Sequence, residues 1–422
     1  MKAKATLIYY SFLFALSVTA MAQSPALIDP PFHYPLPEGK YQVGTRFLTL
    51  SDKSRPDIYT ENTKDFRQLS MRIWYPANPK TGSQPLSYYK KPVADNFIEM
   101  GLFYDAFLQD IALQASCSFL DAPIYNASDP FPLVIYSSSG VMNANIFLFE
   151  NLASHGYVVV SVGHPHWCVF YYDDLGNPYF PDYDNDPYYH KMWEEEGSEA
   201  VGRIKEQITV AVSVDEKRKL LHELNEAMPV EISDVKLWVQ DFDFITGELA
   251  RFNAEGSIFK GMLGLDKIGI MGYSKGGVAA AHACLTDCKY AAGINLSGFM
   301  FGDIQYSPIK VPFMNIESEE AWCKDCESIN DIIYHNAEAD VYMIQIKDAT
   351  HGNFTDLSAY KNYITADFDG LLGPIDGPRF LEIQSAYILN FLDQYLKGIP
   401  SFTPEKLQDK YEEVRLKTNM GT

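Results

Sequence analysis

The stretch IGIMGYSKGG, from Ile268 to Gly277, places Ser274 in a G-x-S-x-G pattern between an apolar run and the helix-forming segment VAAAHACL. A serine in this pattern sits on a sharp strand-to-helix turn, where small residues such as Gly272 and Gly276 leave room for a strained backbone. The start of the following helix also favours developing negative charge. The pattern therefore predicts that Ser274 is a nucleophile.

A histidine that could serve as its base follows the apolar run 341–346. His351 lies in the loop sequence DATHGNFTD, and an imidazole paired with a serine can take the hydroxyl proton and later return it. His164 and His166, in GHPHW, end an earlier apolar run. We interpret these two histidines as lining the pocket or packing, rather than as a metal pair.

Attack on a carbonyl also needs backbone N–H groups that stabilise the charge on the carbonyl oxygen. The N–H of Lys275, directly after the serine, is the first predicted donor of this oxyanion hole. The second should come from SSSGV, the loop after the apolar run 132–137, near Ser139 and Gly140. The Lys275 side chain is interpreted as solvent-facing, with a catalytic cation as the alternative.

The elements that would position these residues are short apolar runs separated by helical patterns. Runs without strict alternation are apolar on both faces, which suits a parallel sheet covered by helices. They span residues 132–137, 156–162, 267–272, 291–296, 311–316 and 341–346. Two earlier segments, YQVGTRFLTLSD and RQLSMRIWYP, alternate apolar and polar residues and predict antiparallel strands.

Two longer segments carry an apolar stripe at helical spacing. They are SDVKLWVQDFDFITGELARF, with a stripe from Val235 to Phe252, and RFLEIQSAYILNFLDQYLKG. The alternation of strands and helices predicts an α/β fold. No linker divides the chain, so we expect a single domain over residues 23–422.

An insertion occupies about residues 167–230; its first part is aromatic and acidic and its second part has a helical pattern. It is too long for a simple connection between a strand and the next helix. We interpret it as a lid over the site. Asp182, Asp184 and Asp186 are spaced like the start of a calcium loop, but Pro187 stands where that loop requires glycine. This stretch is therefore interpreted as a solvated acidic loop.

The first 22 residues have the features of an export signal. Lys2 and Lys4 precede the apolar run LIYYSFLFALSV, and Ala20-Met21-Ala22 supplies a cleavage pattern. We expect removal of residues 1–22 and a secreted or periplasmic protein. No later segment is long and apolar enough to predict a transmembrane anchor.

Six cysteines would then meet conditions in which disulfides form. Cys323 with Cys326, and Cys284 with Cys288, are each close enough in sequence to pair. Spacing does not fix the connectivity, and a zinc site built from the two pairs is the alternative.

The formal net charge of the chain is −21. Such a chain is repelled by nucleic acids and anionic membrane surfaces. We expect a small-molecule partner and no nucleic acid.

Several blocks together resemble the platelet-activating factor acetylhydrolase group of α/β-hydrolases, the lipoprotein-associated phospholipase A2 type, with similarity to dienelactone-hydrolase-like esterases. The blocks are YQVGT, MRIWYP, PFPLVIYSSSG, ENLASHGYVVVSVGHPH, MGYSKGG, AAGINLSGFMFG and HGNFTD. The resemblance implies an α/β-hydrolase fold with a mostly parallel eight-stranded sheet, no metal and no cofactor. It implies cleavage of short-acyl esters, including phospholipids of the 1-alkyl-2-acetylglycerophosphocholine type.

The sequence departs from this family at three places. Tyr273 replaces the usual histidine before the nucleophile, and Ser138 and Ser139 replace the last two residues of the Ser-His-Gly oxyanion loop. The third departure concerns the acid that orients the base, because Ser297 occupies the position of the family's aspartate.

The missing acid leaves two interpretations. A carboxylate from another position could orient His351; our first choice is Glu319, with Glu317, Glu320 and Asp303 as alternatives. Otherwise the chain is a catalytically impaired protein that uses the pocket to bind a lipid or glycan.

Overall fold

The computed structural model describes residues 34–60, 62, 64–100, 114–285, 289–319, 328–363 and 371–419. The predicted signal segment 1–22 lies outside these ranges, as do Cys288, Glu320, Cys323 and Cys326. Both close cysteine pairs therefore stay predictions.

Ten strands of the described residues form one sheet in the order β12-β11-β10-β9-β8-β4-β5-β2-β1-β3, and β6 and β7 form a small hairpin. The strands are β1 (Gln42–Pro56), β2 (Phe66–Ala77), β3 (Ser118–Leu120), β4 (Phe131–Ser138), β5 (Val158–Gly163), β6 (Tyr171–Tyr172), β7 (Pro178–Tyr179), β8 (Leu263–Tyr273), β9 (Ala292–Leu296), β10 (Phe313–Ser318), β11 (Val341–Ile346) and β12 (Val414–Thr418).

The six central strands, from β11 to β5, run parallel. At one end of these six strands β2 pairs antiparallel with β5, and β1 pairs antiparallel with β2. At the other end β12 pairs antiparallel with β11. Each predicted apolar run is one of the parallel strands, and the two alternating segments are β1 and β2. The α/β-hydrolase fold class is thus confirmed, with ten strands in the described sheet instead of eight, because the antiparallel β12 and the short β3 lie at its two edges.

The helices cover both faces of this sheet. They are α1 (Lys91–Glu99), α2 (Ile146–Ser154), α3 (Pro187–Glu196), α4 (Glu199–Val210), α5 (Val214–Ala227), α6 (Pro229–Ala254), α7 (Lys275–Ala283), α8 (Asp331–Asn336), α9 (Gly377–Lys397) and α10 (Pro404–Lys410). Successive strand residues point to opposite faces: Leu133 packs in the cluster with Trp238 of α6, and Val134 packs in the cluster with Phe391 of α9. None of the described helices is long and apolar enough to cross a membrane.

The residues from 167 to 230 contain the β6–β7 hairpin and the helices α3, α4 and α5. The carboxylate of Glu195, near the end of α3, accepts hydrogen bonds from the N–H groups of Val230 and Glu231 at the start of α6. The insertion is therefore built mainly of helices and is anchored on α6. Its role as a lid stays a prediction.

Candidate active site

Ser274 lies between β8, which ends at Tyr273, and α7, which begins at Lys275. Its backbone has φ 56° and ψ −129°, a combination that costs energy for any residue with a side chain. The turn is tight as well, because a Cβ at Gly276 would lie 2.1 Å from the carbonyl oxygen of Ser137. This is the geometry of a nucleophile elbow, which lifts the serine hydroxyl out of the sheet.

His351 begins a short 3₁₀ helix after β11. Its ring stacks against the ring of Tyr273, with centroids 4.7 Å apart and planes 25° apart. The Tyr273 hydroxyl also donates a hydrogen bond to the His351 carbonyl oxygen at 3.1 Å. The residue that replaces the family's histidine therefore holds His351 beside the nucleophile turn, a contact that the sequence did not reveal.

Ser297 follows β9, next to β8 in the sheet. Its hydroxyl oxygen lies 2.9 Å from Nδ1 of His351. Its φ is 54°, in the left-handed region where aspartate and asparagine are enriched among residues with side chains. A hydroxyl thus occupies the place of the expected carboxylate, on a backbone conformation that suits aspartate.

The surroundings of His351 keep it neutral. Although the residue retains partial contact with solvent, burial lowers the pKa of His351 to about 4, and a hydrogen bond with the backbone of Ser297 offsets only part of this effect. A neutral imidazole can accept a proton. The charged form would lack the carboxylate that stabilises it in a Ser-His-Asp triad.

Glu317 lies in β10 and is fully buried. Its Oε2 accepts hydrogen bonds from the side-chain amides of Asn315 (3.0 Å) and Asn330 (2.7 Å). Burial raises its pKa to about 7. These contacts place Glu317 in a buried amide cluster.

The other two described candidates for the acid also have partners elsewhere. Oε2 of Glu319 accepts a hydrogen bond from the Asp348 N–H at 2.9 Å. Asp303 forms an exposed ion pair with Lys236 at 3.2 Å. Glu319 as the acid stays a prediction.

The second predicted oxyanion donor, the N–H of Gly140, lies in the loop after β4 and already has an acceptor in this chain. The Gly140 N–H donates to the carbonyl oxygen of Trp167 at 3.1 Å, and the Val169 N–H donates to the Gly140 carbonyl at 2.6 Å. The N–H of Lys275, at the first position of α7, has no acceptor within its own helix. The Gly140 N–H is therefore occupied by another backbone group, whereas the Lys275 N–H has no such partner within α7.

The interpretation of the Lys275 side chain as solvent-facing is wrong, because the residue is only 7 % exposed. Its Nζ lies 2.7 Å from Asp234 and 2.8 Å from Glu231, both on α6. It also lies 3.4 Å from the centre of the Trp167 ring. The two acids share one face of α6 in the sequence, which is the signal that could have predicted this buried cation.

His164 packs in a separate serine-histidine-aspartate array that is fully buried. Its Nε2 lies 2.9 Å from the Ser137 hydroxyl and its Nδ1 lies 2.8 Å from Asp241, which also pairs with Arg67 at 2.7 Å. The His164 ring stacks on Trp238 with centroids 4.0 Å apart. Because substrate has no access there, the array is structural.

In the acidic loop Asp182 and Asp184 are exposed, as predicted, whereas Asp186 is half-buried. Asp186 caps the start of α3 by accepting hydrogen bonds from the N–H groups of Tyr188 and Tyr189. It also pairs with Nδ1 of His166, whose φ is 67°. Among the described residues, no group of three or more histidines, cysteines or carboxylates is placed to hold a metal ion.

Comparison with known proteins shows the family and agrees with the fold. The family model described as platelet-activating factor acetylhydrolase, isoform II, matches residues 29–403. A solved structure, the ferulic acid esterase from Streptomyces cinnamoneus, has a similar fold, with a TM-score of 0.65, 20% sequence identity, and coverage of 90% of this chain and 97% of that chain. No match is found among curated proteins. The chain belongs to the platelet-activating factor acetylhydrolase family.

Proposed function

We propose that the protein is an esterase in which Ser274 attacks the carbonyl carbon of an ester. The observation that supports this most strongly is the strained backbone of Ser274 at the start of α7, because such strain persists where function requires it. The neutral ring of His351, held by Tyr273 and Ser297, supplies a base beside it.

The reaction would take two steps. His351 Nε2 takes the Ser274 proton as Oγ bonds to the carbonyl carbon, and the same proton then passes to the alkoxide that leaves. In the second step His351 takes a proton from water, the hydroxide displaces Ser274 from the acyl group, and the proton returns to Oγ. The products are an alcohol and a carboxylic acid.

Ser297 would orient the base in place of an acid. With the proton on Nδ1, the ring donates to the Ser297 hydroxyl oxygen, which leaves Nε2 as the accepting nitrogen. A neutral hydroxyl fixes this tautomer but contributes little to stabilising the imidazolium. In known triads the loss of the acid lowers turnover by about 10⁴, so we expect slow turnover.

The substrate proposed is a small ester with a short acyl group, including phospholipids with an acetyl group at the second glycerol carbon. The description of the family supports this class. Export to the periplasm or the medium is part of the proposal and rests on the sequence of residues 1–22.

A protein that binds such ligands without turnover is the second candidate. Two observations favour it: a hydroxyl faces His351 where the family has a carboxylate, and the Gly140 N–H is occupied by a carbonyl of the same chain. Both reduce stabilisation of the transition state.

Hydrolysis of p-nitrophenyl acetate, butyrate and octanoate distinguishes the two candidates. An esterase should release p-nitrophenol fastest from the acetate or butyrate, and Ser274→Ala should abolish this release in a protein with an unchanged melting temperature. Equal rates for wild type and Ser274→Ala on all three esters would contradict the proposal.

A further inference from the structure

In the loop after β4, the N–H groups of Gly140 and Val141 donate hydrogen bonds to carbonyl oxygens of the same chain. Gly140, with φ 82°, donates to Trp167 and accepts from Val169, so that this loop forms a short β-bridge with the residues after β5. The next N–H, that of Val141, donates to the Ser139 carbonyl oxygen at 3.1 Å. Both N–H groups therefore face carbonyl oxygens of this chain.

The residues 164–171, which we term the strap, are held by a buried tyrosine. The Tyr171 hydroxyl donates to the His164 carbonyl oxygen at 2.6 Å, and it accepts from the N–H groups of Trp167 (3.3 Å) and Cys168 (3.1 Å). These bonds fix the Trp167 carbonyl against Gly140. The contact is thus part of an ordered structure.

The Trp167 side chain anchors the strap to α6 and to the residue after the nucleophile. Its Nε1–H donates to Oδ2 of Asp234 at 2.8 Å, and its ring lies under the Lys275 ammonium, which binds the same carboxylate oxygen. Asp234 is fully buried and also accepts hydrogen bonds from Tyr59 and Tyr188. One carboxylate therefore links the strap with the chain segment that carries Ser274.

We propose that Trp167 is a positioning residue that controls the second oxyanion donor: its carbonyl oxygen holds the Gly140 N–H, and the strap must shift before that N–H can face the acyl oxygen. This inference rests on the proposed esterase function. An oxyanion is able to displace the carbonyl, because a hydrogen bond to a charged oxygen is about twice as strong as one to a neutral oxygen.

Two matched variants test this role. Trp167→Phe keeps an aromatic ring under the Lys275 ammonium but removes the hydrogen bond to Asp234. We expect the strap to loosen because it loses this anchor to α6. Tyr188→Phe removes a different donor to Asp234 and leaves Trp167 bound. Because one oxyanion donor is worth about 10²–10³ in turnover, we expect Trp167→Phe to raise kcat by roughly tenfold with KM little changed. We expect Tyr188→Phe to leave kcat unchanged.

The comparison of an ester with its thiono analogue reports on the oxyanion hole itself. Sulfur accepts hydrogen bonds more weakly than oxygen, so a newly available N–H should raise the ratio of kcat for the oxygen ester to kcat for the thiono ester in Trp167→Phe. An equal ratio in wild type, Trp167→Phe and Tyr188→Phe would overturn the inference.

Amide hydrogen exchange tests the contact without relying on activity. In the folded wild-type protein the Gly140 N–H should be protected, and in Trp167→Phe it should exchange at least about tenfold faster, since loss of one side-chain hydrogen bond commonly shifts a local equilibrium by that factor. Rapid exchange in the wild type overturns the inference. If no ester is hydrolysed while Gly140 is protected and released as expected, the esterase function fails and the contact stands.

Discussion

Ser297 is the residue that we expect to limit turnover in this protein, because its hydroxyl faces His351 where a triad has a carboxylate. Its backbone lies in the left-handed region, and its side chain faces Nδ1 of His351 at 2.9 Å. An aspartate there would adopt the same backbone conformation at little cost and would place a carboxylate beside the imidazole.

The first prediction is that Ser297→Asp raises both kcat and the pKa of His351. A nearby negative charge favours the protonated ring, so the acid limb of kcat/KM should move up from about pH 4 toward neutral pH. We expect turnover to rise by roughly tenfold to 10³-fold, within the range that triad acids contribute. The pH dependence of ester hydrolysis and the NMR titration of His351 measure both effects.

Ser297→Asn serves as the control, since asparagine suits the same backbone but carries no charge. It should change the pKa of His351 little. If Glu319 is instead the acid, as first predicted from sequence, Glu319→Gln should lower kcat strongly and Ser297→Asp should gain nothing.

At the scale of residues, the sequence predicted which residues belong to the candidate site but not the contacts that they make. The turn at Ser274 was predictable because glycine at 276 reports a close backbone approach. The carbonyl of Trp167 at Gly140 was not, because a backbone hydrogen bond between distant segments has no side-chain signature.

At the scale of elements, α6 is the support of the site. Glu231 and Asp234 on this helix bind Lys275 on α7, and all three side chains are buried. Burial raises the pKa of Glu231 to about 7, although the Lys275 charge acts in the opposite direction. The helix was predicted from its apolar stripe, whereas its buried acids were hidden because isolated acids on a helix usually face solvent.

The second prediction follows from this cluster. Lys275→Met keeps most of the volume but leaves two buried carboxylates without their cation, and breaking such a pair costs about 3–5 kcal/mol. Urea unfolding at pH 8 should show a loss of this order. The loss should shrink at pH 6, where Glu231 is protonated.

Lys289→Met is the matched control, because Lys289 pairs with Asp243 on the surface. Exposed pairs contribute about 0–1 kcal/mol. Equal losses for the two variants would show that Lys275 has no special role in the support of α7.

At the scale of the whole molecule, two sets of buried groups oppose each other in their effect on stability. Burial lowers the pKa of His351 to about 4, below its unfolded value of about 6.5. The free energy of unfolding therefore falls as the pH decreases from about 6.5 to about 4. Burial raises the pKa of Asp356 to about 8 and that of Glu317 to about 7. For these two acids the free energy of unfolding falls as the pH rises from their unfolded pKa values of about 4 to their folded values.

The third prediction concerns the alkaline side of this balance. Above about pH 6.5 the histidine no longer contributes a slope. The free energy of unfolding should therefore fall between pH 6.5 and 8, because unfolding releases protons from Asp356, Glu317 and Glu231. Each group contributes at most about 1.4 kcal/mol per pH unit. Urea unfolding at a series of pH values measures this slope.

Asp356→Asn mimics the protonated acid, since its amide oxygen can still accept the hydrogen bonds from Tyr88 and the Ile146 N–H. This variant should show a shallower fall above pH 6.5. An unchanged slope would mean that Asp356 is already ionised in the folded protein.

The overall sheet was predictable because its parallel strands are apolar on both faces and alternate with amphipathic helices. The antiparallel edge strand β12 was not, since VRLKT is short and largely polar. The arrangement of the insertion on α6 also depends on distant contacts, such as those of Glu195 with Val230, which leave no periodic pattern.

The central claim is that Ser274 is an active nucleophile, and covalent labelling tests it most directly. A fluorophosphonate reacts with a serine only where a base and an oxyanion site activate it. Mass spectrometry of the folded protein should show one adduct on the peptide that contains Ser274, and none in Ser274→Ala. A folded wild-type protein that stays unlabelled, or that is labelled equally after Ser274→Ala, would contradict the claim.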